Sequence, residues 1–166
     1  MRAYAIMLLF ILVVMIAAPA TAANRYSYIT VQDVQIKLDN GSAIIHVNYK
    51  VDEGTRFIFF LLGKQDLKNK LMKILNYEDI QIKRIDLASA DFSLEDASHS
   101  YGNGIYWYPS HVFNIVIPRL SVKSPQATRN FTMTSEFPGG MGYFATTSQV
   151  VTNTPKTNTI SESISR

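Results

Sequence analysis

Val34-Gln-Ile-Lys-Leu-Asp-Asn-Gly-Ser-Ala-Ile-Ile-His-Val47 spells out a hairpin in its residue types. Asn40-Gly41 is the pair that two-residue type I′ loops favour, because both central residues take positive φ. That loop sets Leu38 opposite Ala43, Ile36 opposite Ile45 and Val34 opposite Val47, an entirely apolar face. The other face pairs Lys37 with Ile44, Gln35 with His46 and Asp33 with Asn48, and is mostly polar. A slip of one residue would mix the two sets. The stretch from Val34 to Val51 therefore predicts an antiparallel pair with one side against a core.

C-terminal to the hairpin the apolar period lengthens. Phe57, Phe60, Leu61, Leu67, Leu71, Ile74 and Leu75 follow helical spacing, which predicts helices at roughly 54–62 and 66–76. Asp52 or Thr55 is available to cap the first and Asp66 the second, and Gly63 separates them. Lys68, Lys70 and Lys73 fall on the solvent side of the second helix, towards its negative end. The unbroken apolar run Phe57 to Leu62 also fits a buried strand.

Beyond Asn76, Ile80 and Ile82, Ile85 and Leu87, then Ala90, Phe92 and Leu94 alternate with polar residues in shifting phase, the mark of bent or bulged strands. His111 to Val122 is a further β region, with Pro118 as an edge or an end. Phe131 and Met133 alternate with Asn130, Thr132 and Thr134, and Phe137-Pro-Gly-Gly-Met-Gly-Tyr-Phe144 reads as a tight turn. The sum is an α+β fold: a small antiparallel or mixed β-sheet with an N-terminal hairpin, and one or two helices packed on one face.

Towards the N-terminus, Arg2 precedes an apolar run from Ala3 to Ala18, then Pro19 and the small residues Ala20, Thr21, Ala22 and Ala23. Charge, apolar run and small-residue site, in that order, predict a signal peptide over residues 1–22. The run is about 16 residues where a spanning helix needs about 20, and an uncleaved anchor contacting the membrane through residues 3–18 is the alternative. With no cysteine in the chain, neither a disulfide framework nor a lipid-bearing cysteine is possible. Residues 24–145 have the length of one domain. From Thr146 onward ten of 21 residues are Ser or Thr, which predicts a disordered tail over 146–166. The net charge of +3 is dispersed along the chain, so no nucleic-acid partner is implied.

Tyr101, Tyr106, Trp107 and Tyr108 crowd a segment with Gly102, Asn103, Gly104 and Pro109, read as an aromatic loop. Rings with polar tips suit stacking on a glycan, a protein or a matrix component, and equally suit roofing a sheet. Glu95, Asp96, His99 and His111 are the local gathering of metal-type ligands; Glu95 and His99 share a face if Ser93 to Ser98 makes a helical turn. Asn40-Gly-Ser42 and Asn130-Phe-Thr132 are N-glycosylation sequons. No phosphate loop, nucleophile elbow or paired-histidine zinc motif is present, and no cofactor is implied.

The stretches Leu38-Asp-Asn-Gly-Ser-Ala-Ile-Ile-His-Val-Asn-Tyr49, Phe59-Phe-Leu-Leu-Gly63, Leu67 to Leu75 and Tyr108-Pro-Ser-His-Val-Phe113 resemble exported proteins of methanogenic archaea over about residues 30–135. The resemblance implies an archaeal envelope setting and carries over no site. Together these readings predict a non-enzymatic binding protein, secreted or associated with the cell envelope. A metal-assisted hydrolase and a membrane-tethered accessory subunit are the alternatives.

Overall fold

The computed structural model describes residues 23–146. The leader read at residues 1–22, and the tail read at 146–166 apart from Thr146, lie outside the described residues. The strands are β1 (Arg25–Tyr26), β2 (Ile29–Asp39), β3 (Ser42–Val51), β4 (Ile80–Ile85), β5 (Ser89–Leu94), β6 (His99–Gly102), β7 (Ile105–Tyr108), β8 (His111–Lys123), β9 (Thr128–Phe137) and β10 (Met141–Phe144). Two helices, α1 (Glu53–Leu62) and α2 (Gln65–Leu75), lie between β3 and β4. The class is α+β, with two sheets where one was expected. A seven-stranded sheet runs β4-β5-β3-β2-β8-β9, with β1 pairing to β2, and a three-stranded sheet runs β10-β7-β6. Among the described residues only β2 and β8 pair in parallel, so the large sheet is mixed.

The hairpin has the register that its residue types require: Leu38 pairs Ala43, Ile36 pairs Ile45, Val34 pairs Val47 and Gln35 pairs His46. Asn40 (φ 46°) and Gly41 (φ 89°) occupy the positive-φ loop positions. Lower in β2 the buried set changes phase, from Ile29 and Val31 to Val34, Ile36 and Leu38, across a bulge at Gln32. Neighbouring β8 changes phase at the same level, from Phe113, Ile115 and Ile117 to Leu120 and Val122. Pro118 lies in that step and neither ends the strand nor sits on an edge strand. Parallel pairing to β2 starts only at Leu120, and Pro118 stands opposite Met133, whose φ of 50° breaks the ladder where the ring has no N–H to give. Met133 is consequently exposed, while Phe131 stays half-buried.

Residues 57–62 are helical, ending at Gly63, whose N–H donates to the Phe59 carbonyl. Asp52 precedes α1 without a side-chain capping bond and turns to Arg25 at 2.6 Å; Thr55 lies inside the helix. Asp66 is no cap either, because α2 already starts at Gln65; its carboxylate accepts from the Tyr28 hydroxyl at 2.5 Å and from Lys70. α2 buries Leu67, Leu71, Ile74 and Leu75 on one stripe, worth roughly 6–12 kcal/mol before the cost of ordering the chain. Its C-terminal carbonyls are satisfied from β8: Asn114 donates to Lys73 at 2.6 Å and His111 Nε2 to Leu75 at 2.7 Å.

All of the large sheet's inward residues join one core with α2 and with Tyr108, Met141 and Tyr143 of the small sheet. Helices and small sheet thus form the second layer on the same side. The opposite side of the large sheet, along Asp33, Gln35, His46, Asp91 and Arg84, faces out.

Candidate functional site

The segment expected to be an aromatic loop is a β-hairpin. Gly102 pairs Ile105 around Asn103 (φ 51°) and Gly104 (φ 74°), a second two-residue Asn-Gly loop. β10 then pairs with β7, Met141 to Tyr108, Gly142 to Trp107, Tyr143 to Tyr106 and Phe144 to Ile105. Strand alternation divides the aromatic residues between two faces. Tyr106, Tyr108, Met141 and Tyr143 point inward, with Tyr106 stacked on Tyr143 at 5.5 Å and Tyr108 against Phe137. The Tyr143 hydroxyl donates to Ser98 Oγ and accepts from the Gly41 N–H, locking the small sheet onto the tip of the first hairpin. Roofing therefore describes Tyr108 and most of Tyr106.

Trp107 and Tyr101 do something else. Trp107 is 39% exposed, Ile105 41%, Phe144 61% and Tyr101, bulged from β6, 71%. Ile105 and Trp107 are two apart on β7, and Phe144 is the cross-strand neighbour of Ile105, so these side chains form one outward apolar face. The indole lies on glycine. A Cβ at Gly140 would stand 2.7 Å from Trp107 Cζ2 and 2.8 Å from the Tyr108 carbonyl, and one at Gly142 would stand 3.5 Å from Trp107 Cε3. At Gly140 only glycine leaves room for the ring, whereas the Gly142 contact is an ordinary one, and the indole remains partly open to solvent. Arg129 donates to the Gly140 carbonyl at 2.6 Å, and Gln126 exchanges two hydrogen bonds with the Phe144 backbone, which fastens β10 from its outer side. Ile105, Phe144, Gly140 and Gly142 were not singled out from the sequence. The repeat of the Asn-Gly pair at 103–104 was the signal that would have placed Ile105 on a hairpin; no local pattern places Gly140, Gly142 and Phe144 beside it.

The four candidate metal ligands do not converge. Ser93 ends in strand β5, and Glu95 and Asp96 form a turn with Asp96 at φ 50°, so no helical turn aligns Glu95 with His99. Glu95, Asp96 and His111 border one cleft with Glu78 and Asp79, whereas His99 lies on β6 opposite Trp107. Among the described residues no group of three or more His, Asp and Glu side chains is placed to hold a metal ion. His111 is occupied in another way. Its ring stacks on Tyr77 at 3.7 Å and donates to Leu75, and burial holds its pKa below the usual imidazole value. The Tyr77 hydroxyl in turn bonds the Tyr108 hydroxyl, and burial pushes Tyr108 up to about 12.

On the open side of the large sheet a polar chain crosses the strands. Arg84 meets Asp91 at 3.0 Å, Asp91 takes His46 Nδ1 at 2.5 Å, His46 Nε2 meets Asn48 at 3.1 Å, and Arg119 lies 3.7 Å from Asp33. The bond from His46 lowers the Asp91 pKa below the usual carboxylate range. His46 Nδ1 faces Asp91 and Nε2 faces Asn48, so the ring is held within the ladder. Asn40 and Asn130 are both exposed.

The fold is α+β, and no helix among the described residues is long and apolar enough to cross a membrane. No protein-family model, no curated protein and no solved structure matches the chain.

Proposed function

We propose that this chain is a non-enzymatic binding domain of the cell envelope or exterior, and that the outer face of the three-stranded sheet is its contact surface. One observation carries the reading: Trp107 lies flat on Gly140 and Gly142 with its free side outward, continuous with Ile105 and Phe144. Covering a glycine explains an indole on a strand, but it does not explain two further apolar side chains exposed beside it. A contiguous apolar face of this kind marks a contact site. Its chemistry suits the C–H face of a sugar ring of an envelope glycan, stacked on the indole, with the Tyr101 hydroxyl and His99 as polar contacts for the ring hydroxyls. The export reading supports the same setting, as does the resemblance to archaeal exported proteins.

The test is capture of envelope glycans and envelope proteins by tagged protein carrying Trp107→Ala. Loss of a central aromatic anchor costs roughly 2 kcal/mol or more, so capture should fall by more than about tenfold while the thermal midpoint moves little. Capture that is unchanged in Trp107→Ala would remove this face from consideration. The N-terminus of the exported protein separates release from tethering: Ala23 or Asn24 in the lead marks a released domain, Met1 a tethered one.

A further inference from the structure

The two edges of the large sheet are protected unequally. β4, at one edge, carries Lys83 and Arg84 and a register shift between Ile82 and Arg84, the usual devices against pairing with a second chain. β9, at the other, runs Thr128-Arg-Asn-Phe-Thr-Met-Thr-Ser-Glu-Phe137, with no charge from Asn130 to Ser135. Among the described residues no strand pairs with its outer side. Met133, at positive φ, is its one irregularity. This unguarded stretch contains a sequon.

We infer that Asn130 carries an N-linked oligosaccharide and that Asn40, in the other sequon, does not. Asn130 and Thr132 are two apart on a strand, so both side chains stand on the same side, and both are exposed. That side is the open polar one: Asn130 pairs Ser121, which pairs Gln35. A glycan there meets short or polar neighbours, and the apolar Phe131 points the other way, under Arg129 and against Phe137. Asn40 has none of this freedom. It sits in the tight loop at φ 46°, the Ser42 hydroxyl donates to the Asp39 carbonyl at 2.9 Å, and the Gly41 N–H and carbonyl are bonded to Tyr143 and Ser98.

In the modification the Asn130 amide nitrogen attacks C1 of a lipid-linked, phosphate-activated oligosaccharide. A C1–N bond forms, the C1–O bond to phosphate breaks, the lipid phosphate departs and the amide proton passes to a base of the transferase. The assignment rests on the export reading, because the donor and its transferase act on exported chains. A bulky hydrophilic group at this point also blocks strand addition along β9, as the charges of β4 do on the opposite edge.

The experiment is expression of the full chain in a host that attaches N-linked glycans to exported proteins, followed by intact mass and glycopeptide mapping. The expected result is one glycan on the wild type and on Asn40→Gln, and none on Asn130→Gln or Thr132→Ala. Exported protein without a glycan at Asn130, or with its glycan on Asn40, overturns the assignment and leaves the export reading standing. Protein retained in the cytosol with Met1 in place overturns the export reading and the assignment with it.

Discussion

Two hairpins in this molecule turn on the same dipeptide, Asn40-Gly41 and Asn103-Gly104, and both place their Asn and Gly at positive φ. In the first, ten paired positions alternate apolar and polar residues, one face is buried, and the outer face is a hydrogen-bonded polar ladder. In the second, Ile105-Tyr-Trp-Tyr108 is large and aliphatic or aromatic at every position, and alternation in burial appears only once β10 and the first hairpin are in place. The first hairpin's free face is adapted to water. That of the second is not, and this is why the second is the contact candidate.

Glycine substitutions test how much each hairpin leans on its surroundings. The largest effect is expected at Gly140, which lies under Trp107. Alanine there would meet Trp107 at 2.7 Å and the Tyr108 carbonyl at 2.8 Å while holding φ at 62°, a cost on the order of 3 kcal/mol. Chemical denaturation should show it, together with loss of the near-ultraviolet signal of Trp107. Gly41→Ala comes next at about 2 kcal/mol, since its φ is 89° and its Cβ would press on Tyr106 at 3.1 Å. Gly104→Ala should cost only about 1 kcal/mol, because its contact is the Ala145 methyl at 3.2 Å. If Gly104→Ala proves as costly as Gly41→Ala, the second hairpin is as integral to the core as the first, and the contrast between them fails.

Acid provides a smaller test of the same contrast. His111 follows the second hairpin and its pKa is lowered by burial, so the unfolded chain binds the proton more readily. Its contribution is complete above the ordinary imidazole value of 6.5 and declines as pH falls towards the lower folded value. Asp91, bonded to His46 of the first hairpin, is also lowered; its contribution is complete above 3.8 and is lost as pH falls through its folded value. Thermal midpoints measured from pH 8 down to 2 should therefore fall in two stages. His111→Gln should flatten the upper stage and Asp91→Asn the lower, and a lower stage that survives Asp91→Asn would show that the ladder is not its source.

Much of the fold was legible because periodicity and turn chemistry are local. The register of Val34 to Val51, the second helix, the bulge near Lys83 and the turn at Pro138-Gly-Gly140 were all open to reading from the residues, whereas Phe57 to Leu62 fitted a helix and a buried strand equally and is helical. Pro118 misled because a proline in an apolar run reads as a terminus, whereas here it occupies a step where β8 changes phase and Met133 kinks away from it. Asp66 misled because its carboxylate was matched to the nearest helix start, while it goes to Lys70 and to Tyr28, the latter 38 residues away. The aromatic cluster was visible as composition, but its division into buried Tyr108 and exposed Trp107 depends on the register with β10. The ligand gathering around Glu95, His99 and His111 dissolved because Asp96 turns the chain ahead of His99 and the β6–β7 hairpin intervenes before His111.

From the residues alone follow the α+β class, the first hairpin to the exact pair, and the second helix, since each rests on a repeat of two or 3.6 residues or on a loop that Asn-Gly favours. The tertiary structure decided that there are two sheets, which side of each meets water, and that Trp107 lies on glycine with one side free. Those depend on contacts between residues far apart in the chain, such as Gly41 with Tyr143 and Trp107 with Gly140, and no local pattern carries that information.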